Sequence, residues 1–120
     1  MGGWLIMNTY GASKGNPGPA GAGGVLRGDK GEWLIGFSES LGVCSSVKAE
    51  IRTVLRGFKI AQEAQVQKLW LQTDSKVVVS MLTSSNDWHL EHSFLLHQCK
   101  QLIDWEGWEV KISHCFREAN

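Results

Sequence analysis

Two prolines, three cysteines and a single tyrosine in 120 residues, with no net charge, set the first limits on this chain. Cys44, Cys99 and Cys115 are far apart, odd in number and without C-x-x-C spacing. That pattern suits reduced thiols inside a cell better than a disulfide framework. Twelve basic and twelve acidic residues cancel, so no overall field draws a polyanion from a distance, and any nucleic-acid contact must be local. No apolar run reaches the length of a membrane span, and the start lacks the basic-then-apolar layout of a signal peptide. The expectation is a soluble intracellular protein without a membrane partner. No internal repeat or interdomain linker interrupts the sequence. What is present is ample core material: 42% hydrophobic residues, with six Trp and four Phe. At this length they predict one packed domain over residues 1–120.

The element pattern is alternating α and β. Trp4 to Tyr10 (WLIMNTY) is β-rich and apolar on both faces, as in a strand inside a sheet. Gly11 to Gly24 is the only Gly-rich stretch, a turn punctuated by Pro17 and Pro19, with glycines permitting a close backbone approach. Val25 to Arg27 and Glu32 to Phe37 read as two further strands, completing an antiparallel meander. Val47, Ile51, Val54, Leu55 and Phe58 form one helical stripe, with Ser45 or Ser46 available as N-cap. Lys68 to Asp74 is another strand, Ser75 to Leu82 a short helix, and Ser84 to Asp87 a break. Phe94, Leu95, Cys99, Leu102 and Ile103 mark a second amphipathic helix. Trp108 to His114 alternates with Val110 and Ile112 inward, a strand with one wet face near a sheet edge. The order βββ-α-β-α-α-β predicts a mixed sheet with helices packed against it. Cys115 to Asn120 resembles the approach to another helix.

Two acids stand at element ends. Asp74 closes an apolar strand and Glu50 opens the long helix, and such positions in α/β folds commonly face the functional edge. Brought together, their carboxylates would repel unless a hard cation such as Mg²⁺ or Mn²⁺ neutralised them. The plainer alternative is that Asp74 caps the next helix and Glu50 complements a helix N-terminus. The Gly-rich loop is neither a Walker A loop nor a dinucleotide fingerprint, because no Gly-Lys-Ser/Thr follows and a strand comes next.

The stretch Asn8-Thr9-Tyr10-Gly11-Ala12-Ser13-Lys14-Gly15-Asn16-Pro17-Gly18 resembles the opening motif of type 1 ribonuclease H, in its plant, retroelement-related branch. Ala49-Glu50, Thr73-Asp74-Ser75, and Ile112-Ser113-His114 followed by Arg117-Glu118-Ala119-Asn120 match three further motifs, in order and at the right intervals. The resemblance covers nearly the whole chain. It implies a ribonuclease-H-like fold: a five-stranded mixed sheet, β1-β2-β3 antiparallel, β4 and β5 parallel to β1, flanked by helices. It implies endonucleolytic hydrolysis of the RNA strand of an RNA–DNA hybrid by two Mg²⁺ (or Mn²⁺) ions on four carboxylates, with no small-molecule cofactor. By the same resemblance Glu50 and Asp74 are metal ligands and His114 a proton shuttle or product-releasing group. Gly11, Asn16, Ser46 and Ser75 are the nucleic-acid contacts, reading 2′-hydroxyls across the wide groove of the hybrid.

The match departs in two places. Tyr10 stands where the family has its first, metal-bridging aspartate, and a phenol is neutral near pH 7. The fourth carboxylate of the family would lie beyond Asn120, on a last helix that is expected to be missing. The expectation is therefore the fold with weak or absent cleavage, or a non-catalytic hybrid-binding module or degenerate retroelement-derived copy. Ser46 and Val47 stand near the family's minor-groove asparagines, and only Ser46 can hydrogen-bond. Three other groups read as plain structure. Lys48, Arg52, Arg56 and Lys59 form a basic stripe on the long helix, read as a solvated face. His89, His92 and His97 read as polar surface, and Trp88, Trp105 and Trp108 as packing against the sheet.

Overall fold

The structure, a computed structural model, describes residues 3–84 and 90–115. Its elements are β1 (Trp4–Ser13), β2 (Gly18–Arg27), β3 (Trp33–Cys44), α1 (Ser46–Glu63), β4 (Lys68–Thr73), α2 (Lys76–Thr83), a 3₁₀ turn (Leu90–His92), α3 (Ser93–Ile103) and β5 (Glu109–His114). The strands form one sheet in the order β3-β2-β1-β4-β5. β1, β2 and β3 pair antiparallel, while β4 runs parallel to β1 and β5 parallel to β4. The expected mixed topology is the one observed.

The strand lengths differ from the sequence reading. β1 runs on through Gly11 to Ser13, and β2 begins at Gly18. Most of the Gly-rich stretch is therefore strand, not loop. Its small residues serve close packing: a Cβ on Gly24 would stand 2.3 Å from Phe37 Cε1. β3 likewise extends to Cys44, and its register with β2 shifts at two bulges that glycine-poor pattern reading does not reveal.

Among the described residues, helices bury one face of the sheet. α1, α2 and α3 cover it around Met7, Leu26, Ile51, Phe58, Leu69, Leu71, Val78, Leu96 and Cys99. Trp108 joins this core edge-to-face with Phe58, ring centroids 5.6 Å apart. Trp105 does not pack as expected; it is largely exposed. In β1, Met7 and Thr9 lie against Gly57 of α1, where a Cβ would come within 3.2 Å of Thr9 Cγ2 and 3.3 Å of Met7 Cγ. By alternation Ile6, Asn8 and Tyr10 point to the opposite face. That face is polar, which corrects the reading of β1 as apolar on both sides. Arg27 Nε donates to Asn8 Oδ1 (2.8 Å), and Asn8 Nδ2 donates to Gln72 Oε1 (3.2 Å). Trp70 Nε1 donates to Ser113 Oγ (2.7 Å) beneath Lys111, whose Nζ lies 4.3 Å from the ring centroid.

The three cysteines are free thiols, Cys44 and Cys99 buried. No described helix is long and apolar enough to cross a membrane. The break at 85–87, Trp88, His89, Arg117 to Asn120 and the expected final helix fall outside the described residues.

Candidate active site

The parallel register of the central strands builds the site. Thr9 of β1 pairs with Thr73 of β4, and Thr73 with His114 of β5. One step beyond that row are Tyr10 and Asp74, on adjacent chains; Cys115 follows on the third, its N–H donating to Thr73 O (2.9 Å). Tyr10, within β1 and three residues before its end, Asp74, just past β4, and His114, the last residue of β5, thus lie at neighbouring levels of three parallel strands, toward the C-terminal side of β4 and β5 where α/β folds place their ligands.

Glu50 reaches the same end through Gly11. A Cβ on Gly11 would stand 2.7 Å from both Ala49 O and Glu50 Cα. Only a glycine lets β1 lie this close under α1, and the residue before it is Tyr10. The close approach anticipated for the loop is therefore partly internal: Gly11 seats the helix that carries Glu50. The helix starts at Ser45, whose side chain accepts from Lys48 N–H (3.2 Å). Glu50 consequently lies past the first turn, not in it, and its Oε2 is buried from solvent. Asp74 is not the cap of α2 either; Ser75 Oγ accepts from Val78 N–H (3.2 Å) in that role. The simpler capping explanation for both acids is overturned by these two serines. Glu50, Asp74, Tyr10 and His114 are each engaged by further interactions within the fold.

The turn between β1 and β2 is tied to this site. Asn16 Oδ1 accepts from Ser46 N–H (3.1 Å), so its carbonyl is committed inside the protein. Gly15 adopts φ of 101°, a conformation that suits glycine, and Ser13 Oγ lies 2.6–3.2 Å from the carbonyls of Gly15, Gly18 and Cys44. Turn, helix start and strand end form one assembly.

Tyr10 is 45% exposed on the open sheet face. It does not fill an enclosed cavity. Beside the site, a cleft of about 480 Å³ is lined by Asn16, Pro17, Val43, Cys44, Ser45, Val47, Lys48, Glu91 and His92. His92 is only 8% exposed, with Nδ1 buried and without a hydrogen-bond partner among the described residues. The sequence reading of His92 as polar surface is corrected here, and that of Lys48 as merely solvated is incomplete. No local signal marks either residue; their meeting depends on the docking of the α3 start against the α1 start. Arg52 also departs from a solvated stripe, donating from Nη1 to Leu41 O (2.9 Å), and Arg56 lies 3.6 Å from Glu39. Lys48 and Lys59 are exposed.

Among the described residues, no three His, Cys, Asp or Glu side chains converge as a metal-holding group. Two carboxylates and a phenol do not make the four-carboxylate donor set that two divalent ions require. The residues present therefore do not fit a two-ion centre.

Comparison with known proteins agrees with this topology. The profile of the family described as "Reverse transcriptase-like" matches residues 8–120. A protein of Arabidopsis thaliana named "Putative ribonuclease H protein" is 45% identical over 119 residues, which are 98% of this chain and 19% of that protein. The ribonuclease H of Polynucleobacter asymbioticus is 38% identical over 79 residues, 66% of this chain and 49% of its own length. The chain thus spans about a fifth of the Arabidopsis relative and about half of the bacterial one. Among solved structures, RNase H1 of the archaeon Halobacterium salinarum superposes with a TM-score of 0.87 at 26% identity, covering 96% of this chain and 87% of that one. Sequence profile, relatives and fold coincide over nearly every residue, and this chain belongs to the reverse transcriptase-like family of ribonuclease-H-like domains.

Proposed function

We propose that this single domain, residues 1–120, binds RNA–DNA hybrid and has lost most or all of the hydrolytic activity of its family. Ribonucleases H as a family depend on divalent metal ions. One observation carries the reading. Continuing the β1–β4 register one step past Thr9 and Thr73 sets Tyr10 of the central strand beside Asp74, where the chemistry calls for a carboxylate. Glu50 and Asp74 remain as ligands for Mg²⁺ or Mn²⁺, held weakly because the bridging charge is gone. Loss of even an outer-shell partner weakens a metal site by about 10–100-fold, and a bridging ligand counts for more. His114, at the end of β5, is the residue to which the resemblance assigns proton transfer near the cleaved bond. Gly11, Asn16, Ser46 and Ser75 line the side where the groove of the hybrid would pass. Lys48 and Ser45 stand in the neighbouring cleft with Glu91 and with His92, whose Nδ1 has no hydrogen-bond partner among the described residues, and Lys48 is the group there proposed to meet a backbone phosphate. A ribonuclease H1 from compost has been crystallised with an RNA/DNA hybrid, and a hybrid is the ligand proposed for this chain. Reduced thiols and the absence of a helical span among the described residues are consistent with work inside the cell.

The test is cleavage of a hybrid labelled on the RNA strand, alongside equilibrium binding. The pure chain is expected to cut little or nothing in Mg²⁺ while binding hybrid more tightly than duplex DNA of the same length. Robust cleavage by the unaltered chain, abolished by Asp74→Asn, overturns the loss of activity. Equal affinity for hybrid and duplex DNA overturns hybrid recognition.

A further inference from the structure

We infer that Ser13 is a positioning residue for hybrid selectivity: its hydroxyl ties the β1–β2 turn to the head of α1 and so fixes Asn16 relative to Ser46. This role presupposes the hybrid binding proposed above and falls to a residue that is not itself among the contacts. Alternation along β1 puts Ser13 on the same face as Thr9 and Gly11, the face that α1 covers. There Ser13 Oγ lies 2.6 Å from Gly15 O, 3.2 Å from Gly18 O and 2.9 Å from Cys44 O. A hydroxyl has one proton to donate, and each of these carbonyls can accept it. Gly15 and Gly18 belong to the turn and the start of β2, whereas Cys44 ends β3, directly before the Ser45 cap of α1. The bond to Cys44 therefore joins the turn to the helix start across 31 positions of sequence.

A second bond runs the other way. Ser46 N–H donates to Asn16 Oδ1 (3.1 Å), and an N–H at the start of a helix has no partner within the helix. The turn thus donates to the chain at Cys44 and accepts from it at Ser46, on either side of Ser45. Lys14 N–H donates to Pro19 O (2.8 Å), which closes the hairpin without reaching α1. Loss of the Ser13 hydroxyl leaves the Asn16 amide, on its own rotatable side chain, to hold turn and helix together. Such loosening acts on selectivity before affinity. Reading 2′-hydroxyls needs donors and acceptors at fixed spacing, whereas attraction between a cation and a phosphate tolerates displacement. Hybrid affinity should suffer more than affinity for duplex DNA.

Equilibrium binding of hybrid and of duplex DNA to the unaltered chain, Ser13→Ala and Ser13→Thr tests the proposal, with amide hydrogen exchange on the same proteins. Ser13→Ala should lower the preference for hybrid by about fivefold, the factor that one ordinary hydrogen bond contributes to an equilibrium. Ser13→Thr keeps the hydroxyl and should keep the preference. In Ser13→Ala the Ser46 amide should exchange faster, while the Lys48 amide, bonded to Ser45 Oγ (3.2 Å), keeps its rate. A serine of merely structural importance would speed both amides and weaken both duplexes alike, and that result overturns the proposal. So does a preference unchanged in Ser13→Ala, or one lost equally in Ser13→Thr. Equal affinity of the unaltered chain for the two duplexes overturns hybrid recognition itself and this role with it, a failure seen before any substitution is made. Should Ser13→Ala not fold, an unprotected Ser46 amide in the unaltered chain overturns the tie.

Discussion

At the scale of the residue, two side chains depart from what their surroundings ask. Tyr10 presents a phenol on an open sheet face beside Asp74, where the family resemblance calls for a carboxylate. Its position was legible from the sequence motif, but its exposure was not, because a strand pattern does not say which face lacks a cover. Cys99 is the opposite case, wholly enclosed. Burial pushes its thiol up from 9.0 to about 12, with Lys59 opposing the shift. Because the folded pKa lies above the unfolded one, the native state holds the proton more tightly. Its contribution to stability is complete below pH 9.0 and falls as pH rises through 9.0 toward about 12. Melting temperatures taken across that range should therefore drop, and drop less in Cys99→Ala once its lower starting stability is subtracted. Native-state alkylation should reach the half-buried Cys115 long before Cys99.

At the scale of the element, the site depends on how closely β1 and α1 approach. Gly11 sits under Ala49 and Glu50 with no room for a methyl group, so Gly11→Ala must lift the helix start or bend the strand. Overpacking of this kind costs about 1–3 kcal/mol. A chemical denaturation midpoint should fall accordingly, whereas Gly107→Asn, at a positive-φ turn with open space around it, should change it far less. A wild-type midpoint for Gly11→Ala would mean that the helix does not rest on the strand as described. Element identity was readable because hydrophobic periodicity is local: the α1 stripe and the alternation of β5 both appear in the fold. The extents of β2 and β3 were not readable. Glycine has no strand preference of its own, and here it is in strands because Phe37 and α1 need the space.

At the scale of the whole molecule, a net charge of zero forces nucleic-acid affinity onto a few local groups. Hybrid binding should thus show a shallow dependence on salt. Lys48→Ala, beside the His92 cleft, should reduce the slope of log K against log salt by about 1. Lys30→Ala, in the β2–β3 turn, should leave it unchanged, and identical slopes for both variants would remove Lys48 from the interface. The sequence by itself determined the family, the order of strands and helices and the identity of the acids, since these rest on residue types at short spacing. Only the tertiary structure decided that Tyr10, Glu50, Asp74 and His114 share one end of the sheet, that His92 is buried beside Lys48, and that β3 is left as an open edge. Those facts follow from parallel register and helix docking, which join residues about forty or more positions apart, and no local pattern encodes distances of that kind.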